Sequence, residues 1–343
     1  MRFGSGRIPR SLIWSSVQPP TSVATGTDGA LATSSDAALS LVDDRSAFAA
    51  KSSLNAQASL AVLRETALRT RPPGLDAASY ARGHAQFEAR SDQRSMIVNW
   101  LRSRANARLT ASGAPADSPM SVLSIGCGDG AVDVEVAEQL TRSTRQVRYV
   151  GVEPFQGSAD RFVTTMRDLD RTNLDVEVRN TTFADSGFGT GAVAGDTAVE
   201  RFDLVAFVHS MYYVPDVAAA VRAAHDLLRP GGELLILSAP VAALNKVVEA
   251  VAPNVEGHPQ WFSDDVRAGL GDAGLVVAEQ GTLDACVDLT DASEEALDFT
   301  VQARLTPLLR RMVLTHLDHI SLSEGALLIP HPVDTYRVTR GIS

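Results

Sequence analysis

The stretch VHSMYYVPDV, Val208 to Val217, gathers His209, Tyr212 and Tyr213 directly after the apolar run FDLVAF. A neutral imidazole, with a solution pKa near 6.5, can take a proton from a reacting group at physiological pH. Tyrosine rings add an apolar wall whose faces attract cations. A second grouping lies upstream, where LSIGCGDGAVDVEVAEQL sets Gly126, Gly128 and Gly130 between an apolar run and an amphipathic one. Glycines there let the backbone turn tightly and let a ligand approach where a Cβ would collide. The next apolar run ends in GVEP, so that Glu153 falls about 23 residues beyond Gly130, where a carboxylate can accept both hydroxyls of a ribose. The turn and the acid together read as a site for an adenosine-containing ligand. Asp129 and Asp133 put negative charge where the pyrophosphate of a nicotinamide dinucleotide would lie, which disfavours that ligand. S-adenosylmethionine carries no phosphate and two cationic groups, and it fits the charge.

The elements that must position these residues follow from periodicity. Apolar strands SVLSIG, VRYVGVE, DVEVRNTTF, FDLVAFVHS and GELLILS alternate with amphipathic helical stretches, the signature of a parallel, doubly wound α/β sheet covered on both faces. Strand ends in such a sheet open on a ligand crevice, which places Glu153 and His209 there. Ahead of the first strand, SDQRSMIVNWLRSRANARL has helical spacing with Ser91 as a candidate N-cap. After Ser238 the pattern loosens into helices around LNKVVEAV and SDDVRAGLGDAGL, a long helix from Ser293 towards His319, and a final strand-like ALLIPHPVDTYRVTR. The expected organisation is a disordered N-terminal extension over 1–75 with one helix in it, a helical cap over 76–120 contributing to the substrate site, a Rossmann-like cofactor domain over 121–240, and substrate-binding helices with the last strands over 241–343.

Composition removes several classes. The chain has 343 residues, a formal net charge of -10, and 45% hydrophobic residues. No concentrated basic face suits it to nucleic acid. No apolar run approaches the roughly 20 residues of a membrane span. Cys127 and Cys286 are too few for a disulfide framework, so a cytoplasmic setting is expected, and no Cys/His cluster has metal spacing. The first 27 residues carry Arg2, Arg7 and Arg10 faintly in the manner of a transit peptide. Oligomeric state is not legible.

With LLRPGGELLIL added as the turn into the fifth strand, residues 121–240 resemble a class I S-adenosylmethionine-dependent methyltransferase. LSIGCGDGAVDVEV, VEPF, VHSMYYVPDV, FSDDVRAGLGDAGL and EGALLIPHPV together resemble the histamine N-methyltransferases over roughly residues 76–340. That resemblance implies a cofactor held by Gly126, Gly128, Glu153, Ser158, Phe183 and Val208, with Ser158 replacing the family's longer glutamine. It implies a substrate site of Asp92, His209, Tyr212, Tyr213, Trp261 and His331, in which His209 replaces a glutamine and His331 an asparagine. His209 is the candidate base and Asp92 the group that orients the substrate or holds its cation. The implied reaction is methyl transfer to a nitrogen of a small imidazole or amine. The alternatives are O- or C-methylation of a small biosynthetic intermediate, a protein substrate, or cofactor binding without catalysis.

Overall fold

A computed structural model describes residues 37–110, 119–188, 200–255 and 258–341. The chain runs through helices α1 (Ala37–Thr70), α2 (Ala77–Glu88) and α3 (Gln93–Thr110) into strand β1 (Met120–Ile125). There follow α4 (Asp133–Thr141), β2 (Val147–Val152), α5 (Gln156–Arg167), β3 (Leu174–Arg179), β4 (Phe202–Val208), α6 (Val217–Asp226) and β5 (Leu228–Ser238). The remainder is α7 (Leu244–Val251), the short pair β6 (Asn254–Val255) and β7 (His258–Pro259), α8 (Ser263–Asp272), β8 (Val277–Leu283), β9 (Cys286–Asp288), α9 (Glu294–Thr300), α10 (Pro307–Ile320), β10 (Leu328–Pro330) and β11 (Val333–Thr339).

Seven strands form one α/β sheet in the order β3-β2-β1-β4-β5-β11-β8. The first five run parallel, and β11 lies antiparallel between β5 and β8. Because β1 pairs with β2 on one side and β4 on the other, the chain reverses direction across the sheet there, and a crevice opens at the carboxyl ends. One apolar core on each face covers the sheet, built around Phe207 and Val221 on one side and Leu140 and Phe162 on the other. Asp203, buried in β4, accepts from Arg108 of α3 and Arg229 of β5 and from the Ser121 backbone N–H, fastening the first helix of the sheet domain to its centre. Among the described residues, no helix is long and apolar enough to cross a membrane.

Three departures from the sequence reading concern the helical cap. The expected extension over 1–75 is not loose throughout. Its helix α1 buries Leu63 and Ala67 in a separate apolar core with Leu309, Val313 and Leu317 of α10 and Val247 of α7, while residues 1–36 lie outside the described residues. The long helix expected from Ser293 is two, because Thr306 caps a new helix whose first residue is Pro307, a position where the missing N–H costs nothing. The final strand is likewise two: β10 pairs with β9 in a small sheet of the cap, and β11 joins the main sheet, with His331 between them. Strand β8 shows weak alternation and much exposure, and pattern reading passed over it.

Truncating one buried leucine tests whether α1 belongs to the fold. Leu63→Ala should lower unfolding stability by about 2–4 kcal/mol, read as a fall in the denaturant midpoint. An unchanged midpoint would mean that α1 is not held by this core.

Candidate functional site

The glycine turn is shaped by what it touches. Gly126 has φ +70°, and a Cβ there would lie 2.4 Å from the Cβ of Ser210 at the end of β4. Ser210 Oγ donates to the Ile125 carbonyl at 2.6 Å, so the ends of β1 and β4 are stitched side by side. Gly128, with φ +58°, turns its N–H onto Glu153 Oε2 at 3.1 Å. The Phe155 N–H donates to Glu153 Oε1 at 2.9 Å. Glu153 is 4% exposed, and this burial, aided by nearby Asp129, pushes its pKa up to about 7 against the pull of the two backbone donors.

Two cavities meet at this edge. The larger, about 660 Å³, is lined by Gly126, Gly128, Glu153, Ser158 and Phe183, and closes against Val214 and Pro215. The smaller, about 180 Å³, lies between the sheet and the cap, walled by Tyr80, Phe87, Phe299 and Tyr212 with His84 and His331 among them. Gly126, His209 and Tyr213 line both. His209 therefore stands where the two spaces join. Its backbone takes φ +50°, a strained conformation for a side chain of this size, and a short 3-10 turn, Met211–Tyr213, follows at once. The ring is 3% exposed, and burial with His331 nearby drops its pKa to about 3, so it is neutral. Burial likewise lowers His331 to about 4, with Asp92 pulling the other way.

The other expected residues fall out unevenly. Ser158 is buried in the larger cavity and accepts from Arg161 at 3.2 Å. Val208 lines the smaller cavity rather than the larger one. Tyr212 presents its ring to the smaller cavity, while its hydroxyl is turned to Ala239 and His209. Asp92 lines neither cavity: it is exposed, and its Oδ1 accepts from the Cys286 N–H at 2.7 Å, tying the start of α3 to β9. Its neighbours Ser91 and Gln93 line the cavity instead. Trp261 also lies outside both linings, because its indole N–H donates to the Val214 carbonyl at 2.9 Å and braces the loop after β4.

Sequence reasoning missed the α2 wall. Tyr80, His84, Phe87 and Glu88 fall at helical one-face spacing in SYARGHAQFE, a signal that periodicity could have found. Glu88 pairs with Arg94 from α3, and burial raises its pKa despite that partner, with Asp129 adding to the rise. Beneath the turn, Tyr149 donates to Asp133 Oδ1 at 2.8 Å, and burial raises Asp133 to about 6.

These residues fit S-adenosylmethionine. Glu153 retains acceptor capacity on both oxygens for a ribose diol, since each carboxylate oxygen has two lone-pair directions and the backbone takes only one. Gly126 leaves bare backbone where the two cavities join, and Asp129, Glu88 and Arg94 offer both signs of charge to an amino-acid end. Fold and site together define a class I S-adenosylmethionine-dependent methyltransferase. The chain belongs to the methyltransferase domain family, whose profile matches residues 98–280.

Among curated proteins it is similar to the ubiquinone biosynthesis O-methyltransferase of Pseudomonas syringae pv. tomato, 27% identical over 150 residues, covering 44% of this chain and 53% of that protein. The enzyme of the same name from Pseudomonas entomophila is 25% identical over 150 residues, with 44% and 53% covered. The chain thus spans about half the length of the curated relatives it matches. Among solved structures, the magnesium protoporphyrin IX methyltransferase of Synechocystis with bound S-adenosylmethionine aligns at TM-score 0.38 and 13% identity over 77% of this chain and 83% of that one. The two curated relatives bear the names of O-methyltransferases, not of histamine N-methyltransferases.

Glu153 gives the site a pH signature. A ribose diol donates to an ionised carboxylate, and the free group has its pKa raised to about 7, so cofactor affinity should be full above pH 7 and fall as pH drops below it. Equilibrium titration should show S-adenosylmethionine binding roughly 10-fold more weakly at pH 6 than at pH 8, and Glu153→Gln should bind weakly at both. A flat wild-type profile would exclude ionised Glu153 as the ribose acceptor.

Proposed function

We propose that the chain transfers the methyl group of S-adenosylmethionine to a hydroxyl oxygen of a small aromatic acceptor, with His209 as the base. The observation that carries this reading is the placement of a buried, neutral imidazole at the junction of the two cavities, facing an acceptor space walled by aromatic rings. Among the described residues, the carboxylates of the smaller cavity are Asp129 and Asp133, which belong to the glycine turn and its helix, and Glu88, which is paired with Arg94. On the α2 wall the acid is Glu88, and its charge is already matched by Arg94. The relatives matched over half their length are named O-methyltransferases, which agrees with this choice.

When bound, S-adenosylmethionine supplies an electrophilic methyl group. Glu153 would hold the ribose, Phe183 the adenine side, and Gly126 the backbone edge past which the methyl end reaches the smaller cavity. The aromatic walls from Tyr80, Phe87 and Phe299 align a flat acceptor, and alignment of this kind supplies much of the rate in displacement reactions. His209 Nε2 takes the acceptor's proton, since Nδ1 faces Tyr212.

N-methylation of a small imidazole or amine is the second reading. It is favoured by the same aromatic faces, which would accept a flat imidazole as readily as a phenol. Purified protein with S-adenosylmethionine should methylate 3,4-dihydroxybenzoate or caffeate in preference to histamine or histidine, followed by product mass. Preference for the imidazoles would reverse the two readings. Cofactor binding with no product from any of the four would instead favour a protein substrate or a binding role. His209→Ala should leave cofactor affinity within a few-fold and lower turnover by ~100-fold or more; unchanged turnover removes His209 from catalysis.

A further inference from the structure

At about 180 Å³ the smaller cavity falls below the roughly 300–1,000 Å³ that takes drug-sized ligands, so it suits a molecule of one ring. Between its aromatic walls stand several uncharged polar side chains whose hydrogens are already committed. Gln93, Asn245 and Gln302 are three of the four amides on the lining. Gln93 Nε2 donates to the His331 carbonyl at 2.8 Å, Asn245 Nδ2 to the Pro240 carbonyl at 2.9 Å, and Gln302 Nε2 to the Phe299 carbonyl at 2.8 Å. Two lining hydroxyls behave alike: Thr300 Oγ1 donates to the Ala296 carbonyl at 2.8 Å and Ser91 Oγ to the Cys286 carbonyl at 3.1 Å.

A backbone carbonyl only accepts, so the amide end that meets it is the nitrogen, and these three amides cannot be turned the other way round. Each is anchored to the protein through its NH2 group, and its carbonyl oxygen, with two lone pairs, is the end left over. A hydroxyl has one hydrogen; once that is given to a carbonyl, the oxygen offers lone pairs alone. Gln93 and Asn245 are buried, so what they leave open faces the cavity they line. Three separate segments, at the start of α3, in α7 and at the end of α9, thus present the same polarity to one space. Arg94, also on the lining, has Glu88 as its partner, and the hydroxyls of Tyr80 and Tyr213 rotate to serve in either sense.

We propose that Gln93, Asn245 and Gln302 are specificity-determining residues, which select a single-ring substrate carrying, besides the hydroxyl that reacts, a second ring hydroxyl or amino group whose hydrogen their oxygens receive. This deepens the reading of the smaller cavity as the methyl-acceptor site and rests on it. A ring whose second substituent has no hydrogen to give would take water from these oxygens and return nothing, which is how a site built of fixed hydrogen-bonding groups rejects a near-isostere. The aromatic walls alone make no such distinction, since they contact a methyl group as readily as a hydroxyl.

NMR titration of the full chain saturated with S-adenosylhomocysteine measures binding without turnover. Catechol, resorcinol and hydroquinone are each compared with the cresol of the same geometry, in which a methyl replaces one hydroxyl, and with the methoxyphenol, which keeps the oxygen and loses its hydrogen. The best-bound dihydroxybenzene should bind ~10-fold more tightly than both of its counterparts. At least one of Gln93→Met, Asn245→Leu and Gln302→Met should bring that ratio down to about 2-fold or less. Equal binding of the counterparts, no binding by any of these rings, or an undiminished ratio in every folded variant overturns the proposal. The wild-type ratios need no variant and decide the matter should one not fold. Discrimination in binding without methylated product from S-adenosylmethionine would uphold this assignment and refute O-methylation; product without discrimination would do the reverse.

Discussion

The closeness of three strand ends governs the rest of the molecule. The end of β1 lies within hydrogen-bond reach of the ends of both β4 and β2, joined by Ser210 to the Ile125 carbonyl and by Glu153 to the Gly128 N–H. Such an approach is possible only because Gly126 has no Cβ, since one would collide with Ser210. The cost is concentrated in a buried carboxylate and a histidine with positive φ. Strain and desolvation of that kind cluster where ligands bind, and here both groups sit on the edge where the two cavities open.

The cap follows from a different constraint. Its apolar core draws on α1 and α2, on α7, and on the stretch from β9 to β10, three segments far apart in sequence. Tyr80, Phe87, Leu244 and Phe299 belong to that core and also line the smaller cavity. Gly83 permits the close packing of α2 on α9, since a Cβ there would lie 2.5 Å from the Glu295 carbonyl oxygen. The acceptor wall is thus an outer face of a packed core, and its shape is set by contacts remote from the chemistry. Cap and sheet are tied along one seam, where Ser91 and Asp92 bond the Cys286 backbone.

What was legible in the sequence divides along the same line. The parallel strands are short apolar runs with glycine punctuation, so the strands, the glycine turn and the strand-end positions of Glu153 and His209 could be read because each lies within one local pattern. A cap was expected over 76–120, but its full membership was not legible, because the packing of α1, α7 and α10 into one core is tertiary. Asp92 looked like a substrate acid since nothing local shows that Cys286 will arrive to take its carboxylate. Trp261 looked like a pocket wall because its bond to the Val214 carbonyl joins residues 47 apart. The α2 face was a local pattern inside the expected cap, and its aromatic and acidic positions were passed over within those 12 residues.

On the proposed reading of His209 as base, its basicity constrains when the proton can move. Burial that lowers its pKa from 6.5 to about 3 disfavours the imidazolium on the order of 5 kcal/mol. A base so weak cannot ionise a resting phenol ahead of reaction. It does not have to, because a hydroxyl oxygen that is gaining a methyl group becomes a strong acid during the transfer, and even a weak base then accepts its proton. On that reading the proton moves late, with or after bond formation, and the imidazole before that moment would hold the acceptor by a hydrogen bond. The same burial serves that role. It keeps the ring neutral across physiological pH and avoids setting an imidazolium against the positive charge of the cofactor in a space with little water.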